Sequence, residues 1–252
     1  MGGLFHNLRH PRHCYAICAT ARSGSHLLCD GLRSTRRAGR PRRFFHEPLE
    51  KRNGDKHGLN PIDDYAGYVR GIVAATATQN GVFGFKIMAW DVARLIAKLR
   101  ETGEFDFPAT AQVELLRKAF PRLQFICLTR CNKLRQAISH ARALQTGVWK
   151  AGNGAKPATD AKFDQRQITA CLESAEIEET IWNDFFARNG IEPLRLTYEE
   201  LSDHYRPTME KVLHFLHIGL PRGDTIAQPG TIRQTDALNV EWEDRFRQLK
   251  AS

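Results

Sequence analysis

Mostly apolar runs of six or seven residues, each bounded by turn-forming or polar positions, recur along the chain at YAICAT (15–20), VFGFKI (82–87), LQFICLT (123–129) and PLRLTY (193–198). Runs of this length and composition predict strands buried on both faces, the habit of a parallel sheet. Between them the apolar positions recur at three- and four-residue spacing. This predicts helices over 25–35, 61–79, 91–100, 111–119, 132–149, 166–189 and 207–217. Strands alternating with helices define an α/β chain with helices on both faces of a mostly parallel sheet. KAGNGAKPATDAKFD (150–164) offers few apolar anchors and reads as a mobile loop. There is no internal repeat and no low-complexity block.

With 252 residues, 42% of them hydrophobic, the chain can bury one substantial core, and a single domain spanning 1–252 is expected. The polar start MGGLFHNLRHPRH has no signal-peptide core, and no apolar run approaches the ~20 residues of a membrane span. Residues 1–13 are therefore expected to fray, and the protein to be cytoplasmic. Six cysteines form no CxxC pair and mostly sit in apolar segments, where a thiol behaves as a small reduced hydrophobe. Ten histidines lack ligand spacing, so no metal site is expected.

The net charge of +9 is uneven, because RSTRRAGRPRR (33–43) holds six arginines in eleven residues. Without interleaved aromatics this run does not read as a nucleic-acid binder. A solvated face or a rim that steers a small polyanion fits it better.

The loop ARSGSH (21–26) follows the first strand and opens a helix, the place where α/β proteins commonly meet phosphate. Gly24 allows close approach of the backbone to an anion. The amides of Gly24, Ser25 and His26 can turn inward, Ser23 lies between, and Arg22 adds a full charge. The Walker pattern GxxxxGK[ST] is absent, and a short Ser/Gly turn is also an ordinary helix cap. Arg130, at the end of the third strand, and Ser139, on the next helix, could grip a second phosphate. Equally, Arg130 could cap a strand and Ser139 lie on a helix surface. Lys86 interrupts an apolar strand and is read as facing the mouth of the site instead of reaching solvent along its stem. Gln145 and Trp149 could bind a sugar, although core packing is the plainer role for the tryptophan.

Five blocks in this order, YAICATARSGSHLLCDGLRST, AGRPRRFF, FGFKIMAWD, LTRCNKLRQAISHARALQTGVW and RQTDALNVEW, resemble the bacterial trehalose 2-sulfotransferase family from about residue 14 to 248. The resemblance implies a P-loop-like three-layer sandwich and 3′-phosphoadenosine 5′-phosphosulfate (PAPS) as sulfuryl donor. By position, Arg22, Ser23, Gly24, Ser25 and His26 would wrap the 5′-phosphosulfate. Arg130 and Ser139 would hold the 3′-phosphate, and Arg233 would be a late basic contact to the nucleotide. The implied partners are this nucleotide and a sugar or glycolipid acceptor, with a homodimer left open.

Three positions depart from the family pattern. His26 replaces the Thr of RSGST. Arg130 and Ser139 are nine apart, one more than in many animal sulfotransferases. Arg43 stands where the family carries a Glu directly before the Phe-Phe pair, and an arginine cannot accept a proton from a hydroxyl. In RRFFHEP the next proton acceptors are His46 and Glu47. Pro48 disfavours helix at Glu47, so an extended or turning stretch is expected there. Glu47 is preferred as base because it keeps the family's chemistry among arginines that hold it ionised; His46 is the alternative, an imidazole titrating near neutrality. The rival readings are a P-loop-type small-metabolite kinase and a catalytically weak nucleotide-binding module.

Overall fold

The computed structural model describes residues 11–104, 108, 111–149, 161–220, 226–228 and 237–251. Its sheet contains β1 (His13–Ala19), β2 (Val82–Met88), β3 (Gln124–Thr129) and β4 (Leu194–Thr197), in the order β2-β1-β3-β4, with every pairing parallel. The helices are α1 (Ser25–Ser34), α2 (Glu47–His57), α3 (Tyr65–Thr76), α4 (Ala89–Glu101), α5 (Gln112–Ala119), α6 (Lys133–Thr146), α7 (Gln165–Arg188), α8 (Tyr198–Asp203), α9 (Tyr205–Phe215) and α10 (Ala237–Ala251).

Alternation along the central strand builds the layers, because successive side chains of a strand point to opposite faces. Cys14, Ala16 and Cys18 join a core with Phe83, Phe85, Ile72, Leu95, Phe120 and Trp182, drawn from β2, α3, α4, α7 and the chain after α5. Tyr15, Ile17 and Ala19 join another with Leu28, Leu32, Met209 and Val212, from α1 and α9. Helices thus cover both faces of the sheet, giving the three-layer α/β sandwich. A third cluster links α6, α7 and α10 through Ile138, Ile168, Trp242 and Phe246.

The basic stretch does not float free. Thr78 Oγ1 and Asn80 Nδ2 donate to the Arg37 carbonyl at 3.0 and 2.9 Å, and the Lys86 amide donates to the Arg42 carbonyl at 2.9 Å. The chain therefore runs along the outer edge of β2. Phe44 and Phe45, each 1% exposed, then plunge into the first core, where truncation of either costs about 3–5 kcal/mol. This anchor presents Arg43 and His46 beside the start of α4.

Three helices differ from expectation. α2 begins at Glu47, which corrects the extended stretch expected there. Pro48 falls in the first turn, where a missing N–H costs no intrahelical bond, and extended His46 caps it. α8 and α10 were not predicted, and α8 takes Tyr198 from the end of the expected fourth strand. Residues 1–10 of the expected frayed start and 150–160 of the expected loop lie outside the described residues.

Candidate functional site: an anion cradle at the first loop

The loop between β1 and α1 is held by two helices. Gln136 of α6, fully buried, donates from Nε2 to Thr20 Oγ1 at 2.9 Å and to the Ala21 carbonyl at 2.6 Å. Trp182 of α7 donates to the Ala19 carbonyl at 3.1 Å. Glu178 of α7 accepts from the Ala21 amide at 3.1 Å. The Ser23 hydroxyl turns back to the Thr20 carbonyl at 2.9 Å. Arg22 and Gly24 both have positive φ, at 60° and 86°, so the chain curls in the left-handed region on either side of Ser23. Gly24 is required twice over: by this φ, and because a Cβ would meet the Tyr198 ring at 2.6 Å. The amides of Gly24 and Ser25 find no backbone partner among the described residues, so they and the positive end of α1 remain available to an anion.

Positive side chains converge on this curl. Arg22 donates from Nε to Ser139 Oγ at 2.9 Å and also bonds the Trp149 carbonyl. Arg130 lies over the Tyr198 ring, 4.4 Å from its centroid, and points Nη1 at the Arg22 carbonyl, 3.5 Å away. Burial, with repulsion from Arg130 and Arg142, lowers the Arg22 pKa to about 10, so it stays charged at neutral pH at a cost that an anion would relieve. Lys86 is 8% exposed, and its ammonium has no hydrogen-bond or ion-pair partner among the described residues. Burial lowers its pKa as well, and Arg43, Arg33 and Arg22 add repulsion. A largely buried lysine with no ion-pair partner among the described residues, close to arginines and open helix amides, fits a strongly anionic ligand.

Two buried carboxylates were missed from the sequence. Glu178, 2% exposed, has its pKa raised to about 7 by burial, against the opposing pull of the Ala21 amide, Arg43 and Ser174. Its signal is its position: it interrupts the buried stripe Cys171, Ala175, Trp182 and Phe185 on α7. Asp91, 6% exposed in the first turn of α4, accepts from Arg43 Nε at 3.0 Å and Nη2 at 2.8 Å through Oδ2. Its Oδ1 lies 3.0 Å from His46 Nδ1. This cluster adjoins the cradle: Met88, just before α4, pairs with Ala19, just before the loop, and Glu178 senses the charges of both Arg43 and Asp91.

Of the residues singled out in the sequence, Arg22, Ser23, Gly24, Ser25, His26, Lys86, Arg130 and Ser139 gather at the carboxyl end of the sheet or on the helices facing it. Trp149 joins through its carbonyl, and its side chain is 44% exposed, not packed in the core. Gln145 engages the Lys162 backbone in both directions, at 3.0 and 2.8 Å, and Gln167 Oε1 at 2.6 Å, away from the loop. Glu47 is exposed on the first turn of α2 without an ion-pair partner among the described residues. Arg233 lies outside them. The free cysteines Cys14, Cys18, Cys29, Cys127 and Cys171 are buried and Cys131 is exposed. No helix among the described residues is long and apolar enough to cross a membrane, and no group of three or more candidate metal ligands occurs among them.

A parallel α/β sheet whose first loop presents helix amides, with arginines and Lys86 of β2 close by, has the features of an anion site at the carboxyl end of its strands. The family model described as Stf0 sulphotransferase matches residues 14–249, and the chain belongs to that family. It is thus a transferase of sulfuryl groups. It is similar to trehalose 2-sulfotransferase of Mycobacterium tuberculosis (strain ATCC 35801 / TMC 107 / Erdman), with 28% identity over 265 residues, covering 92% of this chain and 94% of that one. The Mycolicibacterium smegmatis (strain ATCC 700084 / mc(2)155) protein of the same name is 27% identical, covering 94% and 95%. Among solved structures, the sulfotransferase domain of the Synechococcus PCC 7002 olefin synthase aligns over 98% of both chains at a TM-score of 0.48 and 11% identity.

Proposed function

We propose that the protein transfers a sulfuryl group from PAPS to a hydroxyl of a carbohydrate or glycolipid. The observation that carries the donor is the cradle itself: a left-handed turn at a helix start, lined by Arg22 and by a buried Lys86 with no described partner. PAPS supplies an activated sulfate and a phosphate leaving group. Gly24, Ser25 and His26 would offer amides to the 5′ end. Arg130 and Ser139, on either side of Arg22, would hold the 3′-phosphate, Ser139 exchanging its bond from Arg22 for one to the nucleotide. Arg22 and Lys86 would stabilise the charge that grows on the leaving phosphate, the main contribution a protein makes to an in-line transfer with a loose transition state. The exposed Trp149 side chain offers a flat apolar face to a sugar.

Radiolabelled PAPS incubated with an array of carbohydrates and glycolipids, trehalose included, tests the reading. Label recovered in a carbohydrate product supports it. Label that never leaves the nucleotide with any acceptor, or phosphate transferred from ATP instead, overturns it.

A further inference from the structure

We infer that His46 is the base that takes the proton of the acceptor hydroxyl, held in its working tautomer by Asp91, which Arg43 in turn fixes in place. The inference rests on the sulfotransfer reading above, and its chemistry comes from one cluster of contacts. Asp91 Oδ2 accepts both Nε and Nη2 of Arg43, leaving Oδ1 to face His46 Nδ1 at 3.0 Å. A carboxylate held this way only accepts, so Nδ1 carries the hydrogen, and in the neutral ring Nε2 is then the nitrogen with the lone pair. Nε2 has no hydrogen-bond partner among the described residues, and the imidazole is 26% exposed, enough to meet a substrate. Carboxylate, oriented imidazole and hydroxyl form the geometry by which an acid-base histidine is commonly set. Arg43, from the position where the family carries its Glu, takes no proton; it is a positioning residue, as is Asp91.

Glu47 lacks this support, being exposed on the first turn of α2 with no ion-pair partner among the described residues. The charges surrounding the imidazole are Asp91 of α4, Arg43 and Glu47 of its own segment, and, behind Arg43, Lys86 of β2 and Glu178 of α7. In the step, the acceptor oxygen forms its bond to sulfur as the bond from sulfur to the bridging phosphate oxygen breaks. The electron pair leaves with adenosine 3′,5′-bisphosphate. The hydroxyl proton passes to His46 Nε2 and from there to solvent.

Asp91→Asn gives the sharpest test, because Arg43 can only donate and will claim the new amide oxygen. The amide NH₂ then faces His46 Nδ1 and drives the hydrogen to Nε2, removing the base without removing the imidazole. Nitrogen NMR of the free protein should show Nδ1–H in the parent and Nε2–H in Asp91→Asn, a readout that needs neither turnover nor a change at His46. His46→Asn and Asp91→Asn should each lose at least about a hundredfold in transfer rate. Both should retain the parental affinity for adenosine 3′,5′-bisphosphate by calorimetry. An Nε2–H tautomer in the parent, or an active His46→Asn beside an inactive Glu47→Gln, overturns the assignment. A parent that transfers no sulfate to any acceptor overturns instead the function on which the inference rests.

Discussion

Replacing Glu178 by Gln keeps the shape of a buried side chain and removes its proton equilibrium. The side chain is 2% exposed, and burial raises its pKa from 4.5 to about 7. At about 1.4 kcal/mol per tenfold change in proton affinity, this displacement corresponds to roughly 3 kcal/mol. The sign follows from proton counting. Between pH 4.5 and 7 the folded chain holds a proton on Glu178 that the unfolded chain has released, so its contribution to stability is full below 4.5 and is lost as pH rises through 7. The glutamine of Glu178→Gln does not titrate, and its oxygen can still accept from the Ala21 amide, which lies 3.1 Å from Glu178 Oε2 in the parent. Urea unfolding of both proteins from pH 5 to 8 should therefore give a stability difference, variant minus parent, that grows toward alkaline pH by up to about 3 kcal/mol. Every other titrating group cancels in that difference. A difference that stays constant across the range would refute the claim that Glu178 is buried with a raised pKa.

The cradle supports further expectations. Arg22→Ala should lower the transfer rate about a hundredfold or more while weakening nucleotide binding much less, because the charge it meets grows during transfer; equal losses in kcat and affinity would mark it as a binding residue only. Arg130→Ala should shrink the preference for adenosine 3′,5′-bisphosphate over adenosine 5′-phosphate by about 1.5–3 kcal/mol, measured by calorimetry, and an unchanged preference would remove Arg130 from the 3′ subsite. Since Glu178 bonds the loop that would receive the anion and titrates at about 7, binding of adenosine 3′,5′-bisphosphate near neutral pH should take up protons. Calorimetry in buffers of different ionisation enthalpy reads that uptake, which Glu178→Gln should abolish.

The sheet was legible because β1, β2 and β3 are buried almost throughout, and 15–20, 82–87, 123–129 and 193–198 sit within one or two residues of the strands formed. Of the unforeseen helices, α10 carries an apolar stripe of Leu238, Trp242 and Phe246, whereas α2 and α8 lack what makes a helix visible. α2 buries only Glu50 and Gly54, so no apolar stripe marks it, and its proline reads as a breaker until the preceding extended residue is seen to cap it. α8 is only six residues long, and its signal was local: Thr197 and Glu200 form a reciprocal capping box, spelled TYEE in the sequence.

Residue positions were legible where the backbone fixes them and obscure where a contact does. The loop residues 22–26 follow from their place between a strand and a helix, and nothing more distant is needed to locate them. The choice between His46 and Glu47 rests on partners distant in the chain. Asp91 is 45 residues from His46, and only the path of the basic stretch along β2, pinned by Phe44 and Phe45, brings the two together. Read by position alone, Arg43 is an acid replaced by a base, and the neighbouring glutamate is the natural heir to the acid's chemistry. On the inference drawn above, that preference reverses. Glu47 is exposed on a helix start, whereas Arg43 bonds a buried carboxylate whose second oxygen lies 3.0 Å from a histidine nitrogen. An arginine that cannot take a proton can still decide which nitrogen of a neighbour does.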